Sequence, residues 1–190
     1  MLEPEKADAV QGQLLRRVAT ADRDALAQFY DETAGPLFSL ALRIVGDAGE
    51  AEEVVQDTFV QIWKKAATFD PALGSAFHWA MSIARHRAID RLRARQRRAR
   101  LIDELEHIPA VHLTPQTGSD EHSPGADELV ALRAALTVLP EEQRQAIELA
   151  FFGGHTHTEI AEALHQPLGT IKARIRRGML KLRDSLQAYA

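Results

Sequence analysis

Two stretches of the chain concentrate positive charge. Between Arg85 and Arg100 there are eight arginines against one acid, and between Lys172 and Arg183 there are six basic residues and no acid. The chain as a whole carries a net charge of −4, with seven acids against one arginine in residues 31–57. Because Lys and Arg neutralise phosphates, two basic stripes on an acidic chain predict two surfaces that contact a nucleic-acid backbone.

The second basic stretch follows the pattern of a helix-turn-helix. Thr156 and Glu159 fit a capping box, in which each side chain bonds the backbone N–H of the other residue. Residues 165–167 (His-Gln-Pro) form a three-residue turn, and the next helix begins at Leu168. This spacing is typical of a DNA-reading motif. The predicted apolar stripe of its second helix comprises Ile171, Ile175, Met179 and Leu182.

The opposite face of this second helix carries side chains that could read bases. Positions three and four apart share a helical face, and arginine can pair bidentately with guanine. A small residue between long basic ones lets the helix approach the groove. An isolated basic helix could equally be a solvated surface. Here the capping box, the three-residue turn, the apolar stripe and the excess of positive charge occur together, which favours DNA binding. The residues expected to contact duplex DNA are Thr170, Lys172, Ala173, Arg174, Arg176 and Arg177.

Aromatic residues precede or interleave the first basic stretch. Phe69, Phe77, Trp79 and His86 are the residues concerned. Every base offers a face for stacking, so aromatic rings beside arginines suit unpaired or single-stranded DNA. The alternative is that Phe77 and Trp79 belong to the core and that the arginines form a solvated helix end.

The elements that must position these residues all have a helical period. A helix capped by Asp22 is expected to reach Ile44, with Gly35-Pro36 bending or dividing it. A third helix is expected over 48–67, with acids in its first turn and lysines in its last. The fourth runs from about residue 76 into the arginines. Its predicted apolar face comprises Phe77, Met81, Ala84, Ala88 and Leu92.

The segment 108–125 is rich in proline and glycine and has no period, so it is predicted to be a linker. A second group of helices is expected after it, over 126–139 and from 141, with Pro140 at a helix start where proline is tolerated. The expected fold is all-α, with two small helical domains joined by a flexible linker. The expected boundaries are 1–98, 99–125 and 126–190.

The composition excludes several classes of protein. The chain has no cysteine, which rules out disulfides and thiolate zinc sites. Its N-terminal residues are polar and acidic, unlike a signal peptide. The longest apolar stretch is the nine residues 37–45, which include Arg43, whereas a membrane span needs about 20 residues. We expect a cytoplasmic protein without membrane insertion.

The sequence also argues against metal or catalytic chemistry. His155, His157 and His165 invite a metal interpretation, but the first two flank a helix start and do not both face one ion. There is no HExxH pattern, nucleophile–base pair, carboxylate cluster or phosphate loop. We therefore expect no metal, no cofactor and no enzymatic activity.

Four blocks, in this order, resemble a known family. They are EAEEVVQDTFVQIW, FHWAMSIARHRAIDRLRARQRR, LPEEQRQAIELAFFGGHTHTEIAEAL and PLGTIKARIRRGMLKLR. The chain resembles the extracytoplasmic-function (ECF) sigma factors, the smallest of the sigma-70 type, from about Leu14 to Leu186 except in the linker. The blocks look like regions 2.1–2.2, 2.3–2.4, 4.1 and 4.2 of that family.

The resemblance implies partners and roles. Gln56, Asp57 and Phe59 would contact the β′ clamp of core RNA polymerase, and the second domain would read the −35 element beside the β flap. An anti-sigma factor is also implied, and the free chain would be a monomer. The residues that would face the −10 strand are Phe69, Ser75, Trp79, Arg85, His86 and Arg91.

One departure from the family concerns the turn of the helix-turn-helix. The family usually has Leu-Gly and then an apolar residue, where this chain has Leu164-His165-Gln166. If the position needs a positive φ, histidine suits it less well than glycine.

The main alternative is a stand-alone helix-turn-helix regulator. It would explain residues 126–190 but neither the helix that contains residues 56–59 nor the first basic stretch, and it would usually bind a palindrome as a dimer. A sigma-like decoy that only binds other proteins is a further alternative.

Overall fold

The computed structural model describes residues 4–106 and 137–187, and all regular elements within these ranges are helices. This confirms the all-α prediction. The chain divides into two compact units, Met1–Pro124 and Gly125–Ala190. Residues 126–136 of the helix expected over 126–139 lie outside the described residues. Most of the expected linker lies outside them as well. The boundaries at 98 and 126 stay predictions.

The described part of the first unit contains four α-helices, of which the second packs against the other three. They are α1 (Pro4–Val18), α2 (Arg23–Val45), α3 (Ala48–Lys65) and α4 (Ala76–Glu106). Two short 3₁₀ helices, Ala66–Thr68 and Pro71–Leu73, connect α3 to α4. The helix α4 continues beyond the predicted linker boundary through residues 99–106.

Aspartate side chains cap the N-termini of α2 and α3, where this residue type is favoured. The Ala25 amide donates to Asp22 Oδ1 (3.0 Å) at the start of α2, and the Glu50 amide donates to Asp47 Oδ1 (2.8 Å) at the start of α3. Between them, Gly46 adopts a left-handed conformation (φ 73°) and its N–H donates to a carbonyl of the last turn of α2. This conformation ends α2 without the steric cost that a side chain would add.

Pro36 lies inside α2 without dividing it. A proline removes one backbone hydrogen bond from a helix interior and costs about 3 kcal/mol. Phe29 and Leu37, on either side of it along the chain, are both fully buried in the core. Burying two large apolar side chains offsets a cost of this size, so the helix continues from Arg23 to Val45.

The buried face of α4 is a line of alanines. Ala76, Ala80, Ala84 and Ala88 repeat every four residues and are at most 1% exposed. Small side chains let α4 approach its neighbours closely. The predicted apolar face was right at Ala84, Ala88 and Leu92, but Phe77 and Met81 are only half-buried. They lie one position along the helix from the alanine line, which turns their side chains about 100° away from the core.

The described part of the second unit contains α5 (Glu141–Phe151), α6 (His157–Ala163) and α7 (Leu168–Gln187). Its core contains Ile160 and Ile171, both fully buried. A Cβ at Gly178 of α7 would come within 2.5 Å of Ile147 Cδ1 on α5, so the two helices are in close contact there. Met179, expected on the buried stripe, is 51% exposed, because Gly178 rather than Met179 faces α5.

Candidate nucleic-acid interface

The capping box at the start of the helix-turn-helix is fully formed. The Glu159 amide donates to Thr156 Oγ1 (3.2 Å), and the Thr156 amide donates to Glu159 Oε2 (2.7 Å). Both bonds satisfy backbone groups that a helix start leaves unpaired. They fix where α6 begins and confirm the capping box predicted from the sequence.

The turn between α6 and α7 is a Schellman motif with histidine at its left-handed position. His165 has φ 50°, its N–H donates to the Glu162 carbonyl (3.2 Å), and the Gln166 N–H donates to the Ala161 carbonyl (2.9 Å). This pair of bonds is the signature of the motif, in which glycine usually occupies that position. The position therefore does need a positive φ, as the departure from the family pattern suggested.

The exposed side of α7 brings the predicted base-reading residues together. Lys172, Arg176 and Arg177 are exposed, Ala173 is half-buried, and these four line one shallow concavity together with Leu180. Three long cations around a small side chain form a surface that can enter a major groove. Thr170 is half-buried in the first turn of α7.

Arg174 lies apart from Lys172 and Arg176, each two positions from it along α7, and is three positions from Arg177. Its Nη2 is 2.8 Å from Glu142 Oε2 on α5, and its side chain is only 18% exposed. The structure thus places this residue between two helices of the unit, away from the face where Lys172 and Arg176 are exposed.

In the first unit, the loop and the start of α4 form an aromatic pair. The ring centroids of Phe69 and Trp79 are 5.7 Å apart, with 57° between the ring planes. Ser75 caps the N-terminus of α4, since its Oγ accepts the His78 N–H (3.1 Å). His86 is exposed and lies two turns beyond Trp79 on the same side of α4. The structure thus brings the Phe69 and Trp79 rings together and places His86 farther along the same side of α4.

Sequence reasoning missed one exposed residue in this loop. Leu73 is 87% exposed, which is unusual for a large apolar side chain. Asp70 Oδ1 accepts the Ala72 N–H (2.9 Å) and so holds the short helix that carries Leu73. An apolar residue between Pro71 and Gly74, where no helical stripe could bury it, was the available signal.

Arg85 and Arg91, the two arginines predicted for the −10 site, make contacts within the first unit. Arg91 pairs with Glu53 of α3, and one turn later Arg95 Nη1 lies 3.2 Å from Glu50 Oε2. These ion pairs join α3 and α4. Arg85 is half-buried, and burial followed by the charge of Arg93 lowers the pKa of its guanidinium, which nevertheless stays charged.

On α3, two of the three predicted polymerase contacts are exposed and one is not. Gln56 and Asp57 are exposed, whereas Phe59 is 7% exposed. The Phe59 ring packs against Phe29 (centroids 6.4 Å apart) and Tyr30 (4.7 Å). The structure thus buries most of this ring against α2, and its predicted contact with the polymerase stays a prediction.

Two apolar residues near this surface were not predicted. Tyr30 is 46% exposed and Val60 is 49% exposed. Val60 follows Asp57 by three positions and so lies beside it on α3. Tyr30 of α2 and Phe59 of α3 help to line a shallow groove between these two helices. Each residue lies beside the main apolar stripe of its helix, and this position was the available signal of its exposure.

Neither a metal cluster nor a membrane helix is found where the structure can be described. Residues 4–106 and 137–187 contain no group of three His, Asp or Glu side chains that could hold a metal ion. The same ranges contain no helix that is long and apolar enough to cross a membrane.

Two family models match the chain in the order of its two units. The model of sigma-70 region 2 matches residues 29–98, and the model of sigma-70 region 4 matches residues 129–182. The first match spans most of α2 to α4, including the aromatic pair. The second contains α5, α6 and most of α7, with the basic face.

Curated relatives match the chain over most of its length, and a solved structure is similar to it in sequence. The chain is 29% identical to SigE of Rhodobacter sphaeroides in complex with the anti-sigma ChrR, with a TM-score of 0.44 over 91% of this chain and 96% of that one. It is 37% identical over 177 residues to the ECF RNA polymerase sigma factor SigK of Mycolicibacterium vanbaalenii, covering 91% of this chain and 87% of the relative. It is 38% identical over 176 residues to SigK of Mycobacterium tuberculosis, covering 91% of each. With most of its length matched at this identity, the chain belongs to the ECF RNA polymerase sigma factors of the sigma-70 family.

Proposed function

We propose that the two units of this sigma factor divide promoter recognition between them. The first unit binds the β′ clamp and captures unpaired bases of the −10 element. The second unit reads the −35 element as duplex beside the β flap. The polymerase supplies the metal ions and the phosphoryl transfer, and the chain itself catalyses nothing.

One observation carries the −35 assignment. Lys172, Arg176 and Arg177 are exposed around Ala173 on α7, while Ile171 of the same helix is fully buried in the core of the unit. A helix held in this way presents its cations at a fixed angle, as groove reading requires. The three cations supply phosphate and base contacts, and Ala173 permits close approach.

The −10 assignment is supported by the aromatic pair and the loop that carries Leu73. Stacking on an aromatic ring stabilises a base that has left the duplex and is tolerant of sequence. Phe69 holds the ring of Trp79, and His86 continues the same side of α4. Arg91 and Arg95 pair with acids of α3 and so join α3 to α4, the helix that carries Trp79 and His86.

Gln56 and Asp57 are the proposed polar contacts to the clamp. Both are exposed on α3, with Val60 adjacent to them. A polar pair beside an apolar side chain matches the composition of transient protein interfaces.

Run-off transcription with core polymerase and a promoter library tests the function directly. Wild-type chain should start RNA from a subset of promoters that share −10 and −35 elements. The variant R176A should lose about 1–3 kcal/mol of binding and discriminate less at −35. Its matched control is R183A, which removes the same charge from the end of α7, where Arg183 pairs with Asp184.

Two outcomes would count against the proposal. Equal weakening of R176A on cognate and scrambled −35 DNA would reject a base-reading role for this residue. If wild-type chain started no RNA from any promoter, the sigma assignment of the two surfaces would fail, and binding to DNA without polymerase would favour a stand-alone regulator.

Membership in the ECF group also implies regulation by an anti-sigma factor. Such a protein would cover the clamp-binding and DNA-binding surfaces until a signal releases the chain. The chain would then act in the cytoplasm, where core polymerase works, and it would be a monomer when free of both partners.

A further inference from the structure

Arg174 lies on the side of α7 that packs against α5. Successive residues of a helix turn by about 100°, so positions two apart point in nearly opposite directions. Lys172 and Arg176 both stand two positions from Arg174, and both are exposed. Gly178, one turn beyond Arg174 on its own side, lies against Ile147 of α5.

The partner of Arg174 is a carboxylate at the start of α5. Arg174 Nη2 is 2.8 Å from Glu142 Oε2, with the arginine side chain 18% exposed and the glutamate 69% exposed. Glu142 lies in the first turn of α5, where a negative charge is favourable. A guanidinium–carboxylate bond is directional, so this pair constrains the orientation of α7 as well as its distance from α5.

We infer that Arg174 is a positioning residue, which acts with Glu142 to set the angle at which α7 presents its cations to the −35 duplex. It is not a phosphate contact, although its place between Lys172 and Arg176 in the sequence suggests one. The contact between Gly178 and Ile147 fixes the separation of α5 and α7 at one point, and the ion pair, one turn away, fixes the rotation about that point. The inference rests on the proposed function of α7.

The salt dependence of DNA binding separates the two roles. A protein that gives up one phosphate contact on duplex DNA loses about 0.9 from the slope of log K against log salt concentration. We would measure this slope for holoenzyme, with full-length chain and core polymerase, on a promoter taken from the run-off library. K172A, which removes an exposed cation from the same face, should reduce the slope by about this amount, and R174A should leave it at the wild-type value. An equal reduction by R174A would overturn the inference.

Base discrimination at −35 provides the second readout. The ratio to be measured is the affinity for the cognate −35 element divided by the affinity for an altered one. R174A and E142Q should each reduce this ratio by about fivefold, which corresponds to the lower end of the cost of losing a base contact. The double variant should lose no more than either single variant, since both remove one interaction. A variant that merely folded less well would bind both DNAs more weakly and leave the ratio unchanged, which would also overturn the inference.

A charge exchange completes the test. The variant E142R/R174E keeps an ion pair between α5 and α7 but removes the positive charge from α7. It should recover most of the discrimination lost by R174A, whereas a phosphate contact would not be restored by a glutamate. If wild-type holoenzyme itself does not discriminate between the two elements, the proposed function fails. If it does discriminate and the exchange variant stays as poor as R174A, only the positioning role fails.

Discussion

The rings of Phe69 and Trp79 meet at 57° with their centroids 5.7 Å apart, joining the end of one short helix to the first turn of α4. Tilted pairs at this distance are favourable beyond the area they bury. Phe69 also lies near α1, since a Cβ at Gly12 would be 3.9 Å from Phe69 Cε1. The tryptophan that is proposed to receive an unpaired base is therefore held by a residue that is itself braced from behind.

Replacing Trp79 by alanine should impair promoter melting more than initial binding. Stacking contributes about 1–3 kcal/mol per base, and it acts only after the base has left the duplex. Permanganate reactivity of the −10 thymines should fall in W79A, with closed-complex affinity close to wild type. The control W79F keeps an aromatic face and should retain most of the melting. Normal reactivity in W79A would remove Trp79 from the −10 site.

Asp57 and Phe59, two positions apart on α3, should give different defects. D57A removes an exposed side chain, so it should change the free energy of unfolding by less than about 0.5 kcal/mol but weaken binding to core polymerase. F59A empties a buried site between Phe29 and Tyr30 and should cost about 3–5 kcal/mol of stability.

Denaturation followed by tryptophan fluorescence measures this stability in the first unit, because Trp63 and Trp79 are the two tryptophans of the chain. Pull-down with core polymerase measures the affinity. Unchanged affinity of D57A would remove it from the clamp contact, and an unchanged denaturation midpoint for F59A would contradict its burial.

Replacing His165 by glycine should stabilise the helix-turn-helix. A side chain in the left-handed region costs about 1–2 kcal/mol, and the greater freedom of glycine in the unfolded chain cancels part of the gain, leaving about 0.5–1 kcal/mol. Amide hydrogen exchange in α6 and α7 should slow accordingly in H165G. Ala21 has φ 65° in an equivalent turn between α1 and α2, so A21G serves as a matched variant in the first unit. Faster exchange in H165G would show that the imidazole makes a compensating contact.

Asp22 should make the first unit sensitive to acid. The Ala25 amide, and then the Arg17 side chain, bond to this carboxylate and lower its pKa. A group whose pKa is depressed on folding stabilises the fold above its unfolded pKa of about 3.9, and this contribution is lost as the pH falls through the folded value.

The variant D22N keeps an acceptor for the helix cap but cannot titrate. Its free energy of unfolding, followed by fluorescence, should fall less steeply than that of wild type as the pH is lowered from about 4 to 2. Parallel curves for the two proteins would show that Asp22 contributes nothing to the pH dependence.

Features that depend on neighbours within a few residues could be read from the sequence. The caps at Asp22 and Thr156, the helix end at Gly46 and the strained turn at His165 each involve groups at most five positions apart. The basic face of α7 and the all-α class follow from the 3.6-residue period in the same way. Short-range geometry is nearly the same in every protein, so the residue types were sufficient to predict these features.

Features that depend on contacts between helices needed the three-dimensional structure. The sequence shows Phe59 as an apolar residue next to the exposed part of α3, and only the structure shows that its ring packs against Phe29 and Tyr30 of α2. The sequence groups Arg174 with the other cations of α7, and only the structure shows its ion pair with Glu142, 32 positions earlier in the chain. The sequence shows that a side chain is apolar or charged, whereas the packing of distant helices determines whether it faces the core, a counter-ion or solvent.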